Sequence, residues 1–308
     1  MGFTGLARWT NAPTTGLELI NQNIMRNHQG RYIGKWSLSV KSFRSTFGST
    51  PGFQVAAERS MCALAMNENV FVLLEDPTAP TRADVLQQAE ASGSTGLNQT
   101  VLLAGPPHYR TTFLTLSPPG ALEQLLGQLK ARWVPVRQPG GSTAGSQPSR
   151  SQGTAGQQLT IDGHVFAIGN DWLVRAGNVI LAGGAVKGMF LEAEYLPLPG
   201  MHTESGDGTS ELLSNLLTSV LPNIPDARIV AVTISEAQLE EVLWDREEEQ
   251  AEQQNPPEVE KDDPDDIFVT GSDDHESPTY RKGDWVGVDR DRISAFLIMG
   301  ALRSEGIL

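Results

Sequence analysis

Between Leu159 and Leu198 the chain reads LTIDGHVFAIGNDWLVRAGNVILAGGAVKGMFLEAEYLPL. Little but an antiparallel sheet can be built from such a stretch. Val165, Ala167, Trp172 and Val174 lead into a turn expected at Ala176-Gly177-Asn178, and the chain runs back through Val179 to Leu181. Gly183, Gly184 and Gly188 mark another reversal, since glycine supplies turn conformations at no steric cost. In the last run Met189, Leu191, Ala193 and Tyr195 alternate with Phe190, Glu192, Glu194 and Leu196. Successive strand side chains point to opposite faces, so this spacing predicts strands half-buried against a core.

The rest of the chain repeats the theme. Phe3 to Trp9 is a first strand, and Arg31 to Phe43 is a longer one, with Tyr32, Trp36, Leu38 and Val40 opposed to Lys35, Ser37, Ser39 and Lys41. Ser60 to Met66 and Val70 to Glu75 flank Asn67-Glu68-Asn69 as a hairpin. Further strands are predicted at 99–104, 109–116, 133–137 and 229–234. Thr15 with Glu18 predicts a capping box for a helix over 15–28. Pro118-Pro119 opens a second helix, with the stripe Leu122, Leu125, Leu126 and Leu129. Thr209 to Leu221 is a third, and Ser235 with Gln238 caps a fourth. Ile293, Phe296, Leu297, Gly300 and Ala301 mark a final amphipathic helix over 289–303. The expected class is α+β: a large antiparallel sheet curled into an open β-barrel, with flanking helices. One domain would span 1–244 plus 284–308. It would be interrupted by an insertion at 76–98, a Gly/Ser-rich disordered loop at 138–157 and a disordered acidic linker at 245–283.

Charge narrows the function. The net charge of −14 is concentrated: Glu236 to Glu276 carries 17 acidic and 2 basic residues. The remainder, with 20 acidic and 21 basic residues, is close to neutral. That argues against direct nucleic-acid binding, which needs a basic face. The lone Cys62 permits no internal disulfide and suits a reducing compartment, cytoplasm or nucleus. No secretory signal layout is present, and no apolar run approaches the roughly 20 residues that span a bilayer.

Few residues are placed for chemistry. The histidines at 28, 108, 164, 202 and 275 lack metal-ligand spacing, and Cys62 lies in an apolar strand where an inert thiol is expected. There is no GxSxG, P-loop or GxGxxG, so neither cofactor nor catalytic residue is assigned. Glu192 and Glu194 are the exception. Two residues apart on a strand, they share a face, as do the paired glutamates that hold a divalent metal in tunnel-barrel triphosphate hydrolases. No second strand carries Glu-x-Glu. With Leu191, Ala193 and Tyr195 facing the core, the two glutamates are expected to face water.

The run LTIDGHVFAIGNDWLVRAGNVILAG, then Lys187-Gly188 and MFLEAEYLPL, is similar to the central region of the Mediator subunit 20 family of RNA polymerase II transcription. The opening MGFTGLARW, the strand WSLSVKSF, the hairpin MCALAMNENVFVLLED and the closing DRISAFLIMGALRS also resemble that family. The loops at 76–98, 138–157 and 245–283 depart from its shorter members. The resemblance implies an open antiparallel barrel and a nuclear, non-catalytic subunit of the Mediator head module. It would pair with the related barrel of subunit 18, be tethered by the C-terminal helix of subunit 8, and meet RNA polymerase II indirectly. The partner contact is expected on the core sheet and the third helix, through Leu212, Leu213, Leu216, Leu217, Phe190 and Tyr195.

Overall fold

The computed structural model describes residues 3–10, 12–46, 57–91, 106, 108–128, 133–136, 158–197, 208–222, 229–244 and 287–308. Among these residues eleven strands form one antiparallel sheet. They are β1 (Phe3–Trp9), β2 (Arg31–Ser45), β3 (Ser60–Met66), β4 (Asn69–Glu75), β5 (Thr111–Leu116), β6 (Trp133–Pro135), β7 (Leu159–Ile168), β8 (Trp172–Ile180), β9 (Val186–Tyr195), β10 (Thr209–Ser210) and β11 (Ala231–Thr233). Their order is β10-β11-β1-β9-β8-β7-β2-β3-β4-β5, with β6 added on β2. The ends β10 and β5 do not pair with each other, so the large sheet is as expected but is not closed into a barrel. The predicted strand at 99–104 and the proposed loops at 138–157 and 245–283 lie outside the described residues.

Among the described residues six helices accompany the sheet: α1 (Gly16–Asn27), α2 (Arg82–Ala91), α3 (Ala121–Gln128), α4 (Glu211–Val220), α5 (Glu236–Leu243) and α6 (Val288–Ser304). The Ser235/Gln238 box on α5 forms reciprocally, as the spacing requires. The Thr15/Glu18 box does not: Thr15 makes no side-chain cap. Glu18 instead accepts a hydrogen bond from Gln22 one turn on, at 3.2 Å. No helix among the described residues is long and apolar enough to cross a membrane.

The core strands also correct the expected turns. β8 runs unbroken through Ala176-Gly177-Asn178, and the reversal is made by Gly169-Asn170-Asp171, where Gly169 has φ +59°. Gly177 serves close approach instead of turning. It pairs directly with Gly163 of β7, where a Cβ would stand 1.9 Å from the Ala176 carbonyl oxygen. Trp36 packs over this thin point.

Packing resolves into two faces. On one, α1 and α4 cover β1, β8 and β9 through Ile20, Ile24, Leu213 and Leu217, against Phe166, Val174 and Leu191. Farther along the same face, α3 lays Leu122 over Met61, Val70 and Val72. On the other, α5 and α6 pack on Leu6, Leu38, Leu64, Phe71 and Ile161. Helix α6 meets both β1 and β4: Arg8 of β1 pairs with Glu305, and Arg303 pairs with Glu75 of β4. In a flat sheet those strands would lie six spacings, about 29 Å, apart, whereas a helix with its side chains is about 10 Å wide. The sheet is therefore strongly curled, and α6 lies in its concavity.

Candidate functional site

Glu192 and Glu194 project from β9 into that concavity, and both are fully buried. The expectation that they face water is overturned, and so is that of a half-buried strand. β9 is buried on both faces, with Leu191 and Ala193 under α4 and the two glutamates under α6. What makes their burial tolerable is Arg175. It stands directly across on β8, in register with Glu192. Its Nη1 donates to Glu192, and its Nη2 donates to Glu194 Oε2 at 2.9 Å. Ser294 of α6 donates its hydroxyl to the other Glu192 oxygen. The site is thus assembled from two neighbouring strands and a helix a hundred residues away in sequence.

Burial pulls the Arg175 guanidinium down, but the two carboxylates beside it outweigh this and hold it above its ordinary value. For Glu194, burial wins and raises the carboxyl above the usual range, against the pull of Arg175 and of Arg290 on α6. The neighbouring Glu192 charge adds a smaller upward push. A divalent cation does not fit between these carboxylates, because Arg175 already occupies that position and would repel it. Among the described residues, no three of His, Cys, Asp and Glu gather at metal-binding distance. The arrangement holds a helix to a sheet; it offers no exposed acid or nucleophile.

Arg175 was the residue missed. Its signal, a lone charge between Val174 and Ala176 in an apolar strand, becomes legible only once the register with Glu192 is known. The partner residues expected on the core sheet and α4 separate in the same way. Leu213, Leu217 and Phe190 are fully buried in the chain's own core, Leu216 and Tyr195 are half-buried, and Leu212 is exposed. Leu213 and Leu217 of α4 pack on β1 and β9, and Phe190 lies in the core of the concave face. Cys62 is buried, and burial pushes its thiol up to about 12, far from nucleophilic character.

A second buried carboxylate, Asp76, joins the end of β4 to the start of β5. Arg59 Nε and His108 Nε2 each reach its Oδ2 at 2.7 Å, and Thr78 donates from its backbone at 3.0 Å and its hydroxyl at 2.6 Å. Burial pushes this carboxyl up, but the hydrogen bonds from Thr78 and His108 and the Arg59 charge overcome it and hold it down to about 2. A depressed acid stabilises the fold above its unfolded value, near 3.8, and loses that contribution as the pH falls toward 2. Asp76→Asn should therefore cost about 2 kcal/mol at neutral pH. In urea titrations the gap from the parent chain should close between pH 4 and pH 2; a gap independent of pH would contradict this.

No family model matches the chain, and no curated protein matches it. Several solved structures share part of its architecture. The PH1819 protein of Pyrococcus horikoshii OT3 aligns at 10% identity over 77% of this chain and 97% of its own, with a TM-score of 0.34. A candidate adenylate cyclase from Vibrio parahaemolyticus aligns at 9% identity over 71% and 88%, with a TM-score of 0.31. The RNA triphosphatase domain of a trifunctional mimivirus mRNA capping enzyme aligns at 9% identity over 71% and 87%, with a TM-score of 0.22. Scores this low carry no argument about chemistry.

Proposed function

We propose that the chain is a non-catalytic structural subunit of the Mediator subunit 20 type, acting in the nucleus by pairing with a subunit 18-like sheet protein and the C-terminal helix of subunit 8. The observation that supports it best is the filled concavity. A triphosphate hydrolase of the tunnel class needs an open, wet lumen with a metal on its paired glutamates. Here α6 occupies that space with Ile293, Ile298 and Leu302, and Arg175 occupies the metal's position. What remains for function is surface, which suits a subunit whose work is to be bound.

The test has two parts. Tagged full-length chain, recovered from a nuclear extract of its own source, should bring down other Mediator subunits; their absence removes this reading. Purified chain with Mg or Mn and ATP should release no phosphate above the buffer rate. Steady turnover that disappears in Glu192→Gln would restore the hydrolase reading.

A further inference from the structure

One surface stretch combines exposed apolar side chains with cations that form no ion pair among the described residues. It lies where α1 ends and β2 begins, on the face away from α6. The Gly30 N–H donates back to the Ile24 carbonyl at 2.9 Å, so the chain turns tightly from helix into strand. Met25 (49% exposed) lies in the last turns of the helix, and Tyr32 (50%) and Ile33 (51%) lie at the start of the strand. Ile33 stands at a register shift between Tyr32 and Gly34 and has no partner residue on β7. Tyr32 is held by edge contacts with His164 and Phe166, at 5.5 and 6.0 Å between ring centres. Asn21 of α1 donates to His164 Nδ1 at 2.8 Å, so helix and strand hold the ridge as one unit. Arg26, Arg31 and Lys35 lie along the same stretch of chain, all exposed, and among the described residues none of them forms an ion pair. The nearest exposed carboxylate on β7 is Asp162, paired farther down with Ser37.

We propose that this ridge docks an acidic peptide segment of another protein, one that carries apolar side chains among its carboxylates. Three exposed cations select negative charge, and Met25, Tyr32 and Ile33 select an apolar anchor between the charges. Nucleic acid fits less well, because the chain as a whole carries −14 and the ridge presents one exposed aromatic ring instead of a stacking series. The chain's own acidic stretch, Glu236 to Glu276, is the competing occupant, and the test below separates it from a second protein. The held position of Tyr32 lowers the ordering cost of binding.

Fluorescence anisotropy with the full-length chain tests this. The probe is a labelled peptide of about 14 residues that alternates Asp and Glu with two Leu and one Phe. Saturable binding in the range of about 10 µM is expected, weakening as salt rises from roughly 50 to 300 mM. Binding should fall roughly tenfold in the triple variant Arg26→Glu, Arg31→Glu, Lys35→Glu, and about fivefold in Tyr32→Ser with Met25→Ser. The single changes Arg26→Glu and Lys35→Glu should each weaken it about threefold, keeping the test open if the triple variant misfolds. Four results would overturn the proposal: no saturable binding, equal binding by the single variants, tighter binding of a labelled single-stranded RNA at the same ridge, or binding that appears only when 245–276 is replaced by Gly-Ser of equal length. The last would make the chain's own acidic stretch the occupant.

Discussion

A chain ending before Val288 should not fold cooperatively. Helix α6 buries Ile293, Ala295, Leu297, Ile298, Met299 and Leu302 in the concavity of the sheet. At about 1.5–3 kcal/mol for each large apolar side chain, their removal costs on the order of 10 kcal/mol. That is comparable to the whole stability of a typical domain, about 5–15 kcal/mol. The loss also uncovers Leu64, Phe71 and Leu159, each fully buried in the intact protein. It breaks the ties Arg8–Glu305, Arg303–Glu75 and Asn67–Asp291, the last a hydrogen bond of 2.8 Å. The truncated chain should show no near-ultraviolet circular dichroism and no sigmoidal urea transition. A milder probe, Leu302→Ala, should cost about 2–5 kcal/mol while keeping the transition cooperative. A truncated chain that unfolds at the parent's midpoint would show α6 to be an accessory.

The second large effect is expected from Arg175→Met. The change keeps an unbranched apolar stem and removes the guanidinium with its charge, leaving Glu192 and Glu194 buried beside each other. Breaking a buried ion pair from one side costs about 3–5 kcal/mol, because the remaining charge has neither water nor counter-ion. The pH dependence has a definite sign. Glu194 is already raised by burial, and without Arg175 it should be raised further. A raised acid keeps its folded-state contribution below its unfolded value and loses it as pH rises through the folded one. Arg175→Met should therefore be least destabilised near pH 4 and most destabilised at pH 7–8. Replacing the network together, with Glu192→Leu, Glu194→Leu and Ser294→Ala added, should recover most of the loss, since apolar substitutes for a buried ion network are often neutral or better. Failure of the combined variant to exceed Arg175→Met would mean that packing, not charge, sets the cost.

Much of the fold was legible from local pattern. Strand alternation placed β1, β2, β3 and β4 within a residue or two of their observed limits, because a two-residue period across a half-apolar surface has few other solutions. β9 begins at Val186, so Gly188 lies inside the strand and not in the expected reversal. The Ser235/Gln238 box was legible because it depends on neighbours within one helix. The helix that ends the chain was placed, but not its stripe: Gly300 is exposed, while Ala295, Ile298, Met299 and Leu302, outside the expected stripe, are buried in the concavity. The Gly177 turn was misplaced because glycine permits two things, a reversal and a close strand approach, and only the pairing with Gly163 decides between them. The Thr15 cap was misplaced because Glu18 had an equally near partner in Gln22.

The candidate site divides along the same line. That Glu192 and Glu194 share a face follows from the strand period, and the sequence alone determined it, as it did the class of sheet and the helix that ends the chain. Whether that face was wet or dry, and what stood opposite, depended on contacts across 17 residues to Arg175 and 102 to Ser294. Local periodicity holds no information about register between strands or about which helix fills a curled sheet. Those are set by burial summed over the whole chain, and that sum turned two apparent solvent-facing acids into an internal clamp.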